Sequence, residues 1–114
     1  MTGRSILIAV AVASGLSANL LAQDAKVIEK GEKAYAANKC STCHSIGDKG
    51  NKKGPLDDAG SKLTADEIRE WLIHPTEMSA KAKSTRKPPM KSYDKLPKDD
   101  IDALVAYLQS LKKK

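Results

Sequence analysis

Two cysteines three positions apart, Cys40 and Cys43, followed at once by His44, form the one cluster in this chain whose side chains call for a shared chemical partner. Thiols at this spacing can reach the two vinyl groups along one edge of a single porphyrin. Each adds across its vinyl to form a thioether, and the imidazole that comes next then lies beneath the iron. Cys40-Ser41-Thr42-Cys43-His44 therefore reads as C-x-x-C-H, the attachment site of a c-type haem, with His44 as the proximal ligand. The chain has no other cysteine, so none is left for a disulfide. Two other chemistries compete for these residues. A zinc site from Cys40, Cys43, His44 and His74 has four ligands, but consecutive residues do not easily take adjacent tetrahedral corners. A thioredoxin-type C-x-x-C lacks the βαβ pattern that would surround it.

An electron-transfer haem commonly takes a neutral imidazole or a thioether as its sixth ligand. Beyond the first residues the chain offers His74, Met78 and Met90. His74 reads as a helix-end cap or a solvent-facing residue, and Met78 as packing against the haem edge. Met90 follows Pro88-Pro89, which hold the backbone extended, and enough chain separates it from the last helix to cross the distal face. Met90 is the expected sixth ligand, with a lysine as an option at high pH. Trp71, the single tryptophan, is expected to pack against the macrocycle, with its indole N–H free to reach a propionate.

These groups need elements to position them. Asp24 to about Asn38 reads as an amphipathic helix with Val27, Gly31, Ala34 and Tyr35 near one face. Gly31 costs that helix about 1 kcal/mol against alanine, which points to another backbone coming close. Ile46 to Gly60 reads as loop. Thr64 and Glu67 form a capping box for a helix bearing Ile68, Trp71 and Leu72, which stops near His74 because Pro75 disfavours helix before it. Thr76 to Leu96 reads as a long aperiodic, functional loop. The last helix is expected from about Lys98 to Lys112, with Ile101, Leu104, Val105, Leu108 and Leu111 as its stripe. Asp99 and Asp100 at one end, and Lys112 to Lys114 at the other, suit its dipole. Few residues favour strand, so the domain is expected to be all-α.

The start of the chain has the form of a secretory signal peptide: Arg4, an apolar stretch from Ile6 to about Ala18, small residues near Ala22 and no acid before Asp24. Cleavage after Ala22 leaves one domain over residues 23–114 and places the protein in the periplasm, where c-type haem is fitted. An uncleaved membrane anchor is the minority reading, since the apolar stretch is at the short end of a span of roughly 17 residues. The charge is +6 over the whole chain and +5 without Arg4. An exported chain with no nucleic-acid motif uses such charge as a solvated surface or to meet an acidic protein partner. With no Phe and one Trp, the core lacks apolar bulk, and a small domain needs a staple. A covalent macrocycle would supply both.

Over essentially the whole of residues 23–114 the chain resembles the class I monohaem cytochromes c. Gly31 and Tyr35 are similar to that family's glycine and aromatic on the N-terminal helix, and Leu104 and Tyr107 to its leucine and aromatic on the C-terminal helix that crosses it. Gly54-Pro55-Leu56 resembles the G-P-x-L segment, which implies that the Pro55 carbonyl accepts from the proximal histidine. Pro88-Pro89-Met90 resembles the loop that delivers the sixth ligand. Two departures stand out: Lys91-Ser92-Tyr93 follows Met90 where an aromatic or proline is usual, and Pro97 stands where Ser or Thr caps. The resemblance implies a cytochrome c fold, one covalent haem c with His/Met ligation, and a monomeric periplasmic one-electron carrier rather than an enzyme, with redox proteins as partners and no small-molecule substrate. The alternatives are a haem-bearing subunit of a larger oxidoreductase, or a haem enzyme or gas sensor with a labile sixth ligand.

Overall fold

The computed structural model describes the backbone of residues 14–112 and the side chains from Asp24 onward. Five helices lie in this range: α1 (Ser14–Ala37), α2 (Ala59–Lys62), α3 (Ala65–Ile73), α4 (Pro75–Lys81) and α5 (Lys98–Gln109). Between α1 and α2 come one 3-10 turn (Cys40–Thr42) and a small hairpin of β1 (Ser45–Ile46) and β2 (Lys49–Gly50). Helix α1 begins well before Asp24, because Leu16 to Ala25 is free of Pro and Gly. Of the expected leader, residues 1–13 lie outside the described residues. Among those described, no helix is long and apolar enough to cross a membrane.

The fold is organised by the contact of α1 with α5. A Cβ at Gly31 would run into the Ala103 carbonyl and the Tyr107 side chain, so the absence of one lets the two backbones touch. One turn further on, Tyr35 meets Tyr107 edge to face, with ring centroids 5.8 Å apart, a pairing worth about 0.5–1.5 kcal/mol beyond its buried area. Val27, expected on the same face, is 40% exposed. It precedes the close approach at Gly31, and crossed helices diverge away from their contact. Ala34 of α1, Ile68 and Leu72 of α3, and Ile101, Leu104, Val105 and Leu108 of α5 form the core. Arg69 ties α3 to α5 through Asp102, at 2.8 Å.

Three local expectations are corrected. The stretch Ile46 to Gly60 is not all loop: it holds the end of β1, the whole of β2 and the start of α2. The stretch from Thr76 is helical as far as Lys81. Pro75 closes α3 and then opens α4 as its first residue, where a missing N–H costs nothing and φ is already suitable. Helix α5 stops at Gln109, so Lys112 lies beyond its last turn rather than on it. The capping box of Thr64 and Glu67 is present in both directions, at 3.0 and 3.2 Å.

Candidate functional site

Cys40, Cys43, His44, Trp71 and Met90 all line one cavity of about 810 Å³, a size within the roughly 300–1,000 Å³ of cofactor clefts. The chain leaves α1 through Lys39, whose φ of 55° turns it sharply into the 3-10 turn. Hydrogen bonds from the Cys43 and His44 N–H groups to the Cys40 carbonyl, at 3.1 and 3.0 Å, then hold both sulfurs and the imidazole on one tight loop. Burial pushes the Cys40 thiol up in pKa.

The imidazole is oriented from behind. His44 Nδ1 lies 3.0 Å from the Gly54 carbonyl. A carbonyl only accepts, so Nδ1 carries the proton and Nε2 keeps its lone pair for a metal. The expected acceptor, the Pro55 carbonyl, is corrected to that of the residue before it. Ser45 forms a parallel bridge with Pro55, and in that pattern the flanking residues make the bonds: Ser45 N–H donates to Gly54 and Leu56 N–H donates to Ser45, at 3.1 and 2.8 Å. The Gly54 carbonyl is thereby aimed at the His44–Ser45 step. Burial lowers the His44 pKa most, the Gly54 bond raises it, and the Arg86 charge lowers it. The outcome is a neutral imidazole, the form that ligates.

Pro88, Pro89 and Met90 enter the cavity wall from the long distal loop, and Met90 packs half-buried against the core. The loop is fastened at the end of α3. Tyr93 N–H donates to the Leu72 carbonyl at 2.8 Å, and Ser92 Oγ to the Ile73 carbonyl at 2.7 Å. These are last-turn carbonyls that otherwise need a partner. Lys91-Ser92-Tyr93, a departure from the family pattern, thus contains the residues that anchor the loop. His74 is exposed between α3 and α4, and neither it nor Met78 lines the cavity. Among the described residues no cluster of three His, Cys, Asp or Glu could hold a metal ion, which leaves the zinc reading without support.

The cavity suits a haem. Its walls are mainly apolar (Leu56, Ile68, Leu72 and Leu104 among them), two sulfurs and an imidazole stand at one loop, and a thioether comes from another. The Tyr35 hydroxyl also lines it, buried and without a protein partner. Burial pushes that phenol up to about 12. Sequence reasoning overlooked Arg86 and Tyr93, which also line the cavity. The available signal for Arg86 was its place four residues before Met90, as the one arginine in a lysine-rich loop.

The cytochrome c family profile matches residues 28–112. The chain belongs to the cytochrome c family. It carries covalently bound haem c at Cys40 and Cys43, and the work of such a domain is electron transfer. Cytochrome c oxidase subunit 2 from Alkalihalophilus pseudofirmus is similar to it, 29% identical over 107 residues. That match takes in 86% of this chain but 30% of the relative, so the chain spans about a third of that protein's length. No solved structure matches the chain significantly.

Proposed function

We propose that this cytochrome c is an exported, monomeric one-electron carrier of the periplasm, with residues 23–114 as the mature domain and His44 and Met90 as axial ligands. The observation that carries this reading is that His44 and Met90, from separate loops, line the same cavity as the two attachment cysteines. Haem c supplies an iron that cycles between Fe(II) and Fe(III). The chain's part is to hold both ligand loops still, so that the change of oxidation state involves little movement. Gly54 fixes the imidazole, and the end of α3 fixes the loop of Met90. With His44 and Met90 holding the iron, the thioether would favour the reduced state and raise the potential relative to two imidazoles. The Trp71 indole at the cavity wall is proposed to pack against the macrocycle, with its N–H free to reach a propionate.

Exposed Lys39 and Lys91 at the cavity rim, in a chain of net charge +6, favour a redox protein with an acidic docking face. The rate of exchange with such a partner falls as ionic strength rises, since exposed charges are screened beyond about 10 Å at 0.1 M. An optical redox titration of the purified holoprotein tests the core of the proposal. It gives a single one-electron curve, with a weak near-infrared sulfur-to-iron band in the oxidised form and no rapid binding of CO when reduced. A five-coordinate spectrum with rapid CO binding would instead identify a haem enzyme or gas sensor. The match to an oxidase subunit 2 favours a second reading, a haem-bearing subunit of a larger oxidoreductase. Co-purification in one stoichiometric complex from native membranes distinguishes it from a free carrier.

A further inference from the structure

We infer that Arg86 is a positioning residue that clamps the loop of Met90 to the haem-attachment loop, so that the two axial ligands are held by one contact. The guanidinium donates from one Nη to the carbonyl of Cys43, the residue that precedes His44. The donor and acceptor are 43 positions apart in sequence, so the bond joins two segments that no secondary structure connects. The same guanidinium lies over Gly54. A Cβ there would collide with the other Nη and with the Cys43 carbonyl. Gly54 thus has two duties at once: its carbonyl takes the proximal imidazole, and its bare α-carbon leaves room for the arginine.

The arrangement is a closed circuit. His44 is held by Gly54, Gly54 is covered by Arg86, and Arg86 holds the backbone of Cys43. Four residues after Arg86 comes Met90, joined to it by Lys87, Pro88 and Pro89. Two prolines restrict the backbone there, so a clamp at Arg86 limits where Met90 stands. On the other side Ser92 and Tyr93 are tied to α3. Met90 is thereby fastened from both directions, toward the proximal loop by Arg86 and toward the helical core by Ser92 and Tyr93. A lysine keeps the charge but loses the planar fork that lets one nitrogen sit at Gly54 while the other donates to Cys43.

The inference rests on Met90 as sixth ligand, and the test separates the two. Cyanide association with the oxidised holoprotein is measured for wild type, Arg86→Met, Arg86→Lys, Met90→Ala and Met90→Ala with Arg86→Met. Circular dichroism confirms folding, and haem retained after denaturation confirms attachment. Arg86→Met is expected to accelerate cyanide capture about tenfold in the presence of Met90, Arg86→Lys to restore part of the wild-type rate, and the Arg86 effect to vanish once Met90 is absent. A Met90→Ala protein no faster than wild type overturns the ligand assignment itself. A fast Met90→Ala protein together with an unchanged Arg86→Met rate overturns the clamp alone. So does an Arg86→Met shift in reduction potential of the same size with and without Met90, because the arginine would then act on the haem and not through the ligand loop.

Discussion

The loop that carries His44 and the loop that carries Met90 are built on different principles. From Cys40 to Gly54 the backbone is stitched to itself at short range. Asn51 N–H reaches the Ser41 and His44 carbonyls at 3.1 and 2.9 Å, and Ser45 reaches Gly54 at 3.1 Å. The Met90 loop depends on distant partners, Ile73 nineteen positions away from Ser92 and Cys43 forty-three away from Arg86. A short closed loop orders cheaply, and one held at a few distant points is the first to open. The histidine side is therefore expected to be the permanent ligand, and the methionine side the one that exchanges.

The largest test of that contrast is Met90→Ala. It abolishes the near-infrared band, lowers the reduction potential and opens the iron to cyanide, while haem stays attached through Cys40 and Cys43. Met78→Ala leaves all three nearly unchanged. If the two variants behave the other way round, the distal loop is misassigned. Gly50→Ala strikes the other side. Gly50 has φ of 99°, and a Cβ there would meet the His44 carbonyl. A side chain forced into such a conformation costs about 1–3 kcal/mol, seen as a lower denaturant midpoint with the sulfur-to-iron band preserved. Loss of the band in this variant would mean that the two loops are not separable.

Smaller effects sharpen the same contrast. Ser92→Ala removes the bond to Ile73 and costs about 0.5–1.5 kcal/mol. Its signature is faster cyanide binding with an unaltered midpoint for release of the proximal ligand. An equal loss on both sides counts against local opening. Tyr35 gives a pH-dependent test of the scaffold common to both loops. Burial holds its phenol at about 12 against an ordinary 10.0, so below pH 10 it is neutral whether the chain is folded or not. Above that the unfolded chain loses a proton that the folded one keeps, and stability falls as pH rises toward 12. Tyr35→Phe makes the urea midpoint fall less steeply between those values; an identical slope would mean that Tyr35 is not responsible.

The chemistry of one loop could be read directly from the chain. Cys40, Cys43 and His44 are close because they are consecutive, and their spacing serves a single cofactor. The α1–α5 contact was also legible, since Gly31 in a helix and the stripe from Ile101 to Leu108 each announce a partner surface. Helix α4 was not, because Pro75 reads as an end and only the folded chain shows it to be also a beginning. The acceptor for His44 was read one residue late, since a G-P motif does not say which carbonyl turns inward. That choice belongs to Ser45, through its bridge to Pro55.

By itself the sequence determined the cofactor, its two attachment cysteines and the helical scaffold, all of which follow from residue types a few positions apart. Only the tertiary structure decided that the Gly54 carbonyl accepts from the imidazole N–H and that Arg86 crosses to Cys43; Met90, already favoured over Met78 by the prolines before it, is the methionine that lines the cavity. The physical reason is distance along the chain. Contacts between near neighbours are written in their spacing, but a guanidinium and a carbonyl 43 positions apart meet because α1, α3 and α5 bury their apolar faces together and carry the loops with them.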